Sequence, residues 1–431
     1  MSPSGAGAPA DPSPMDEKRA PEPPERLLSR LTDPALRAVG EKALAGERLS
    51  FEDGLVLFRT PDLVGLGALA NRERERRHGN LGYYNVNRYL NPTNLCWVDC
   101  GLCAWARKPG VPGGYTMAIE EAVREAAAGW HDGITELHVV GGLHPSLPYD
   151  YYTGLLRALR ARFPGVHIKA WTMVELDWFA RVGKKELAET IRELKDAGMD
   201  SCPGGGAEIF AKRVRDVICT NKIDGERWLE IARLCHENGV KTNVTMLYGS
   251  IETDAERVDH LVRVRELQDE TKGFLGFIPL AFHPEGTPFA HLPATSGLLD
   301  LRVIAAARLM LDNLDHVKAY WVQIGEKFAP VALHFGADDL VGTVTEETIT
   351  HAAGATTEAG LSRREMERLI RSAGREPFER DAYYERVVRD GSGRVVRANR
   401  HDFVPSSAPA PAAPKPHLPA HPSVDPVVTS S

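Results

Sequence analysis

Three cysteines fall within eight positions, Cys96-Trp-Val-Asp-Cys100-Gly-Leu-Cys103, a spacing of C-x3-C-x2-C. Thiolates are soft donors suited to zinc and to iron–sulfur clusters. Three of them can hold three irons of a cubane and leave the fourth iron to a ligand from outside the protein. No fourth cysteine follows until Cys202. A structural zinc site ordinarily takes four protein ligands, and His78, His131 or a distant residue would have to supply the fourth. A [4Fe–4S] cluster with one open iron is therefore the preferred reading, and a zinc site or non-enzymatic Fe–S scaffold the alternative. Cys202, Cys219 and Cys235 are scattered and are expected to be small buried apolar residues.

Four further segments carry groups able to meet a ligand. His138-Val-Val-Gly141-Gly142-Leu-His144 ends a strand-like run, and glycine permits close backbone approach. Thr172-Met-Val-Glu175 places a carboxylate after another such run; Glu175 reads either as an acceptor for a ligand or as a helix-start acid. Cys202-Pro-Gly204-Gly205-Gly206-Ala-Glu208 has the glycine content of an anion-binding nest or of a tight turn. Asn243-Val-Thr-Met-Leu-Tyr248-Gly249 closes a fourth.

These segments need a scaffold that gathers strand ends. From Tyr83 onward, apolar runs alternate with amphipathic stretches. Strands are expected at 84–89, 136–140, 167–173, 199–202, 242–248, 274–282, 318–324 and 340–344. Helices are expected at 118–130, 151–163, 184–197, 226–238, 254–271, 298–314, 326–335 and 363–373. That alternation indicates parallel β with crossover helices. Eight such units predict an α/β fold, a (β/α)8 TIM-type barrel whose active site lies at the C-terminal strand ends. Residues 26–80 predict an N-terminal helical extension, including a helix over 33–46 with Asp33 as N-cap and another starting at Thr60-Pro61. The barrel is expected over 81–360 and a C-terminal helical segment over 361–404. Residues 1–25 and 405–431, rich in Pro, Ala and Ser or acids, read as disordered tails.

The formal charge of −7 argues against nucleic acid as the partner. No apolar run reaches the roughly 18 residues of a membrane span, and the N-terminus lacks the apolar core of a secretory signal. A cytoplasmic location is expected, with reduced thiols and a small-molecule substrate.

The Cys loop and the glycine pair after the next strand resemble the radical S-adenosylmethionine (SAM) superfamily; Leu102 stands where most members have an aromatic residue. The resemblance narrows to its menaquinone/F420-type group and, within that, to the aminofutalosine synthases. It is carried by Asn91-Pro-Thr-Asn-Leu-Cys96, Glu136–Pro145, His167–Glu175, Asp200–Phe210, Thr245–Gly249, Gly276–Phe282, Met310–Asn313, Lys318–Trp321 and Asp338–Thr343, and covers about residues 27–385. The Glu285-Gly286-Thr287 turn departs, with Gly where Asn is expected. The resemblance implies a cluster on Cys96, Cys100 and Cys103, and SAM as co-substrate beside Gly141, Gly142, Glu175 and Tyr248. It implies addition of the 5′-deoxyadenosyl group to 3-[(1-carboxyvinyl)oxy]benzoate, with rearrangement and loss of bicarbonate. The products would be methionine and 6-amino-6-deoxyfutalosine, on a route to menaquinone. Dehypoxanthine futalosine cyclase and FO synthase are the related alternatives. A flavodoxin or ferredoxin donor is implied as well. The substrate has two carboxylates, so His144, Lys169, Asn243 and Lys318 are candidate contacts, with Gly205, Gly206 and Glu208 from the glycine-rich segment. Each could equally be a packing residue.

Overall fold

The computed structural model describes residues 22–402, apart from positions 132, 346, 347, 359 and 400. The expected tail 405–431, and residues 1–21 of the other, lie outside the described residues. The first helix, Pro24–Ser29, begins just inside the stretch read as a tail, with proline where no N–H is needed.

Six parallel strands form the main sheet, in the order β2 (Asn87–Leu90), β3 (Glu136–Val139), β4 (His167–Ala170), β5 (Ser201–Cys202), β6 (Lys241–Tyr248) and β7 (Phe274–Ala281). A second sheet sets β1 (Leu81–Asn85) between β8 (Asp339–Gly342) and β9 (Glu376–Glu379), again in parallel. Single parallel bridges join the two. Phe277 pairs with Val317, Lys318 with Asp339, and Arg88 with Thr345. The ring of strands thus returns on itself, as the alternating pattern predicts for a TIM-type barrel. The strands of the main sheet are buried or half-buried on both faces apart from the exposed Lys241, as crossover helices require.

The expected strand at 318–324 is an exception. Only Val317 and Lys318 pair, and Trp321–Ile324 turn into a short helix whose Trp321 indole donates to the Gly342 carbonyl. The expected strand at 167–173 ends early, because Trp171 adopts a positive φ of 65° and Thr172 caps a helix over Met173–Gly183. The expected helix at 326–335 shrinks to Ala329–Ala332.

The N-terminal helices Pro34–Leu44, Phe51–Arg59 and Leu63–His78 pack outside the barrel, the last against Gly297–Met310. Asp33 caps the first of them as expected, accepting from the Ala35 N–H. Asp62, not Pro61, caps the third through Gly65. The segment read as a C-terminal helix, 361–404, holds more than its helix Arg363–Ser372: it adds β9 to the barrel and a small antiparallel sheet over Val388–Arg389, Val395–Ala398 and His401–Asp402. Arg380 and Tyr384 from this segment both hydrogen-bond to Asp339, so it closes the lower interior of the ring. Among the described residues no helix is long and apolar enough to cross a membrane.

Candidate active site

The loop after β2 is held open by its own backbone. Cys96 N–H donates to the Arg107 carbonyl at 2.9 Å, and Arg107 N–H to the Asn94 carbonyl at 2.9 Å. The Asn94 side chain accepts from Tyr115 N–H at 2.8 Å and donates to the Gly113 carbonyl at 2.9 Å. Cys103 N–H closes a turn onto the Cys100 carbonyl. As a result Cys96, Cys100 and Cys103 all line one cavity of about 350 Å³. Burial pushes the Cys100 thiol up to about 12 and raises Cys103, with the Lys222 cation working the other way on both. Free thiols here hold their protons until a soft metal takes the charge.

The Gly141-Gly142 turn after β3 lies against this loop. Gly142 N–H donates to the Thr93 carbonyl, Trp97 N–H to the Leu143 carbonyl, and Leu143 N–H reaches the Cys96 Sγ at 3.4 Å. A Cβ at Gly142 would fall 2.8 Å from the Leu95 carbonyl carbon and closer still to its oxygen. Only glycine allows the two backbones this approach.

Glu175 supports the same turn from below. Its carboxylate accepts from Gly141 N–H at 2.8 Å, and from Thr172 N–H and Oγ1 at 2.7 and 2.8 Å. It is a helix-start acid in a capping box, and it also lines the cavity. Burial pushes its pKa up to about 7 against those hydrogen bonds.

Gly205, Gly206 and Glu208 also line the cavity. Glu208, at a positive φ of 48°, forms an ion pair with Lys222 at 2.5 Å. Burial is the largest single influence on each and opposes its charge, but the attractions together prevail: Lys222 and Arg215 hold the Glu208 carboxyl below its usual range, and Glu208 with the neighbouring thiols holds Lys222 above its own. No motif in the sequence points to Lys222. It sits in a turn twenty residues past β5, and only its closeness in space to the Cys loop marks it. Trp105, Leu280, Phe282 and Val341 supply apolar wall, and Tyr89, His138, Thr245, His283 and Gln323 polar wall.

Five sequence candidates do not face this cavity. Tyr248 is fully buried on the outer face of β6, where its hydroxyl donates to Asp300; the period of two turns Thr245 and Leu247 inward instead. His144 Nδ1 accepts from Ser146 and Leu147 N–H, so it serves its own turn. Lys169 is paired with Glu136 at 2.6 Å, and Lys318 lies 3.7 Å from Asp339; both sit deeper in the ring. Asn243 is buried, its Oδ1 unpartnered, and is not part of the lining. Cys202 and Cys235 are buried apolar packing as expected, and so is Cys219.

Comparison with known proteins agrees with this arrangement. Residues 90–264 match the family model described as Radical SAM superfamily, and residues 271–390 the CofH/MqnC C-terminal region. The chain is 48% identical over 361 residues to aminodeoxyfutalosine synthase of Thermus thermophilus, covering 83% of this chain and 97% of that protein. It is 40% identical over 359 residues to the 5-amino-6-(D-ribitylamino)uracil–L-tyrosine 4-hydroxyphenyl transferase of Methanoculleus marisnigri, covering 81% of this chain and 97% of that one. Its fold is similar to that of HydG, a maturase of the [FeFe]-hydrogenase, with a TM-score of 0.64 at 18% identity, over 84% of this chain and 80% of that chain.

Proposed function

From the premise that this chain belongs to the radical SAM superfamily, in the branch with the CofH/MqnC C-terminal region, we propose that it is an aminodeoxyfutalosine synthase. In this reading it joins the 5′-deoxyadenosyl group of SAM to the vinyl carbon of 3-[(1-carboxyvinyl)oxy]benzoate. Rearrangement and release of one carboxyl group, which takes up a water and leaves as bicarbonate, then give 6-amino-6-deoxyfutalosine and methionine, for menaquinone biosynthesis. The observation that carries it is the convergence of three thiols, a glycine pair and a buried Glu–Lys pair on one largely apolar cavity.

The donor set fits a [4Fe–4S] cluster held by Cys96, Cys100 and Cys103, with Gly141 and Gly142 as the backbone cradle for SAM. When bound, the reduced cluster supplies the electron that splits SAM into methionine and the 5′-deoxyadenosyl radical. The protein does the rest by position. Glu175 fixes the Gly141 N–H through its carboxylate, so it acts on SAM through the turn. Lys222, neutralised by Glu208, offers a cation beside the thiols, and Gly205 and Gly206 keep the adjoining wall low. The apolar wall closes around the reactive carbon centre and limits its side reactions. The remaining demand is alignment of that centre with one vinyl carbon. A flavodoxin or ferredoxin as donor and a cytoplasmic location complete the proposal.

Anaerobic incubation of the reconstituted protein with SAM, dithionite and the enol-ether benzoate tests it by mass spectrometry. The expected product carries adenosine carbons joined to the aryl group. Free 5′-deoxyadenosine as the main nucleoside, with no adduct, would refute it and favour the cyclase type of chemistry.

A further inference from the structure

The strand register sets Tyr89, His138 and Lys169 in one row across β2, β3 and β4. Tyr89 and His138 reach the cavity, their rings stacked at 4.3 Å and 15°. Other interior histidines are spoken for: His167 meets Ser201 Oγ at 2.7 Å, His260 the Thr245 carbonyl at 3.0 Å, and His283 the Gln323 carbonyl at 3.2 Å. Among the described residues His138 has no hydrogen-bond partner; its ring stacks on Tyr89 and opens on the cavity. Burial, with the Lys169 charge adding, pushes its pKa down to about 3, so it is a neutral imidazole with one N–H to give.

Beneath it the charges do not balance. Lys169 is matched by Glu136. Asp339 is already engaged by Arg380 Nε, Tyr384 hydroxyl and Val341 N–H, each within 2.7 Å. Lys318, at 3.7 Å, receives only what remains of that carboxylate. Among the described residues, the charges acting most on Lys318 are the cations Arg380 and Lys169 and the anions Asp339 and Glu136, so Lys318 is a third cation over two anions. Burial pushes Lys318 down to about 7, with Arg380 and Lys169 adding to the shift and Asp339 and Glu136 opposing it. A bound anion at the cavity floor would restore balance, as buried charges require.

We propose that His138 anchors one carboxylate of the substrate, donating a hydrogen bond at the cavity floor above the under-compensated Lys318. This inference rests on the aminodeoxyfutalosine synthase reading for the identity of the dianion. It places the aryl end deep and leaves the enol ether toward the thiols. His138 is a binding and positioning residue in this role.

The test uses anaerobic holoenzyme without reductant, and binding of the enol-ether benzoate by equilibrium dialysis. His138→Phe keeps the ring stack and removes the donor; His138→Gln keeps a donor. The Phe variant should bind the benzoate at least tenfold more weakly, with the Gln variant in between and SAM affinity unchanged in both. On reduction, the Phe variant should shift product from adduct to free 5′-deoxyadenosine. Wild-type affinity should fall as pH rises through about 7, where Lys318 loses its proton among Arg380, Asp339, Lys169, Glu136 and Tyr384; the dimethyl ester of the probe should show no such fall. Equal affinities in wild type and both variants overturn the anchor. Should the Phe variant not fold, a Gln variant of wild-type affinity together with a flat pH profile overturns it. A wild type that binds no benzoate refutes the functional reading itself, and the anchor with it.

Discussion

Replacing Gly142 with alanine should cost this protein its metal before it costs the protein its fold. The new Cβ would stand 2.8 Å from the Leu95 carbonyl carbon and 3.1 Å from that of Asn94. Carbon contacts settle at about 3.5–4.0 Å, so the Leu95 segment must retreat by at least roughly 0.7 Å, and the Leu95 oxygen, closer still, demands more. The obstacle is backbone, pinned by Arg107 N–H on Asn94 and Cys96 N–H on Arg107, so no side chain can swing away to absorb the change. Overpacking of this kind costs about 1–3 kcal/mol. The retreat also carries Cys96, the next residue, and a metal site tolerates only about 0.5 Å of misplacement. Iron and sulfide per chain after reconstitution should fall well below wild type, while the metal-free chain still unfolds cooperatively at a slightly lower temperature. At Gly141 the Cβ would be tight only against the Thr93 oxygen, at 3.2 Å, with Thr93 Cγ2 and Pro92 Cδ at ordinary contact distance, so Gly141→Ala should be the milder variant. A Gly142→Ala protein with full iron content and wild-type SAM affinity would refute the idea that this turn sets the position of the Cys loop.

Cys100→Ser should abolish stable iron binding and Cys235→Ala should leave it unchanged, as read by iron assay; loss of iron in both would point to general damage. Lys222→Met leaves the Glu208 charge buried and alone, so it should cost about 3–5 kcal/mol by denaturant titration. Adding Glu208→Gln should recover much of that, and additive losses would argue against a coupled pair. Glu175 keeps its proton up to about 7 in the folded state, whereas the unfolded chain loses it near 4.5. The folded state therefore binds more protons between those values, and stability must fall as pH rises through that window. Glu175→Gln should flatten that slope in thermal melts, and an unchanged slope would show that other groups produce it.

Regular periodicity made the barrel legible. The six strands of the main sheet follow apolar runs that the sequence displays openly, and helix Asp254–Thr271 has the bounds expected for it. What escaped was decided by contacts far along the chain. The Lys318–Trp321 run looks like a strand, yet the indole of Trp321 is claimed by the Gly342 carbonyl and the chain turns helical. Strand β9 contains a proline, which counts against a strand by propensity. It pairs nonetheless, because β1 offers an open edge at the bottom of the ring.

The site divides along the same line. Its thiol end is local: eight consecutive positions and one glycine pair define it, and chemistry alone identifies those residues. The floor is assembled by register, which no short motif records. Tyr89, His138 and Lys169 lie about fifty and thirty residues apart and meet because β2, β3 and β4 pair in parallel at one level. The same parity sends Tyr248 outward and Thr245 and Leu247 inward on β6, although Tyr248 is the more chemically suggestive residue. A slip of one residue would exchange the two faces of a strand. On the proposed function, the reaction class of this chain lies in its loops, and the choice of substrate is expected to lie in the parity of its strands. Substitutions that separate one member of the branch from another are then expected among inward residues of β2, β3, β6 and β7, below the thiols, where Tyr89, His138, Thr245 and Ile278 stand.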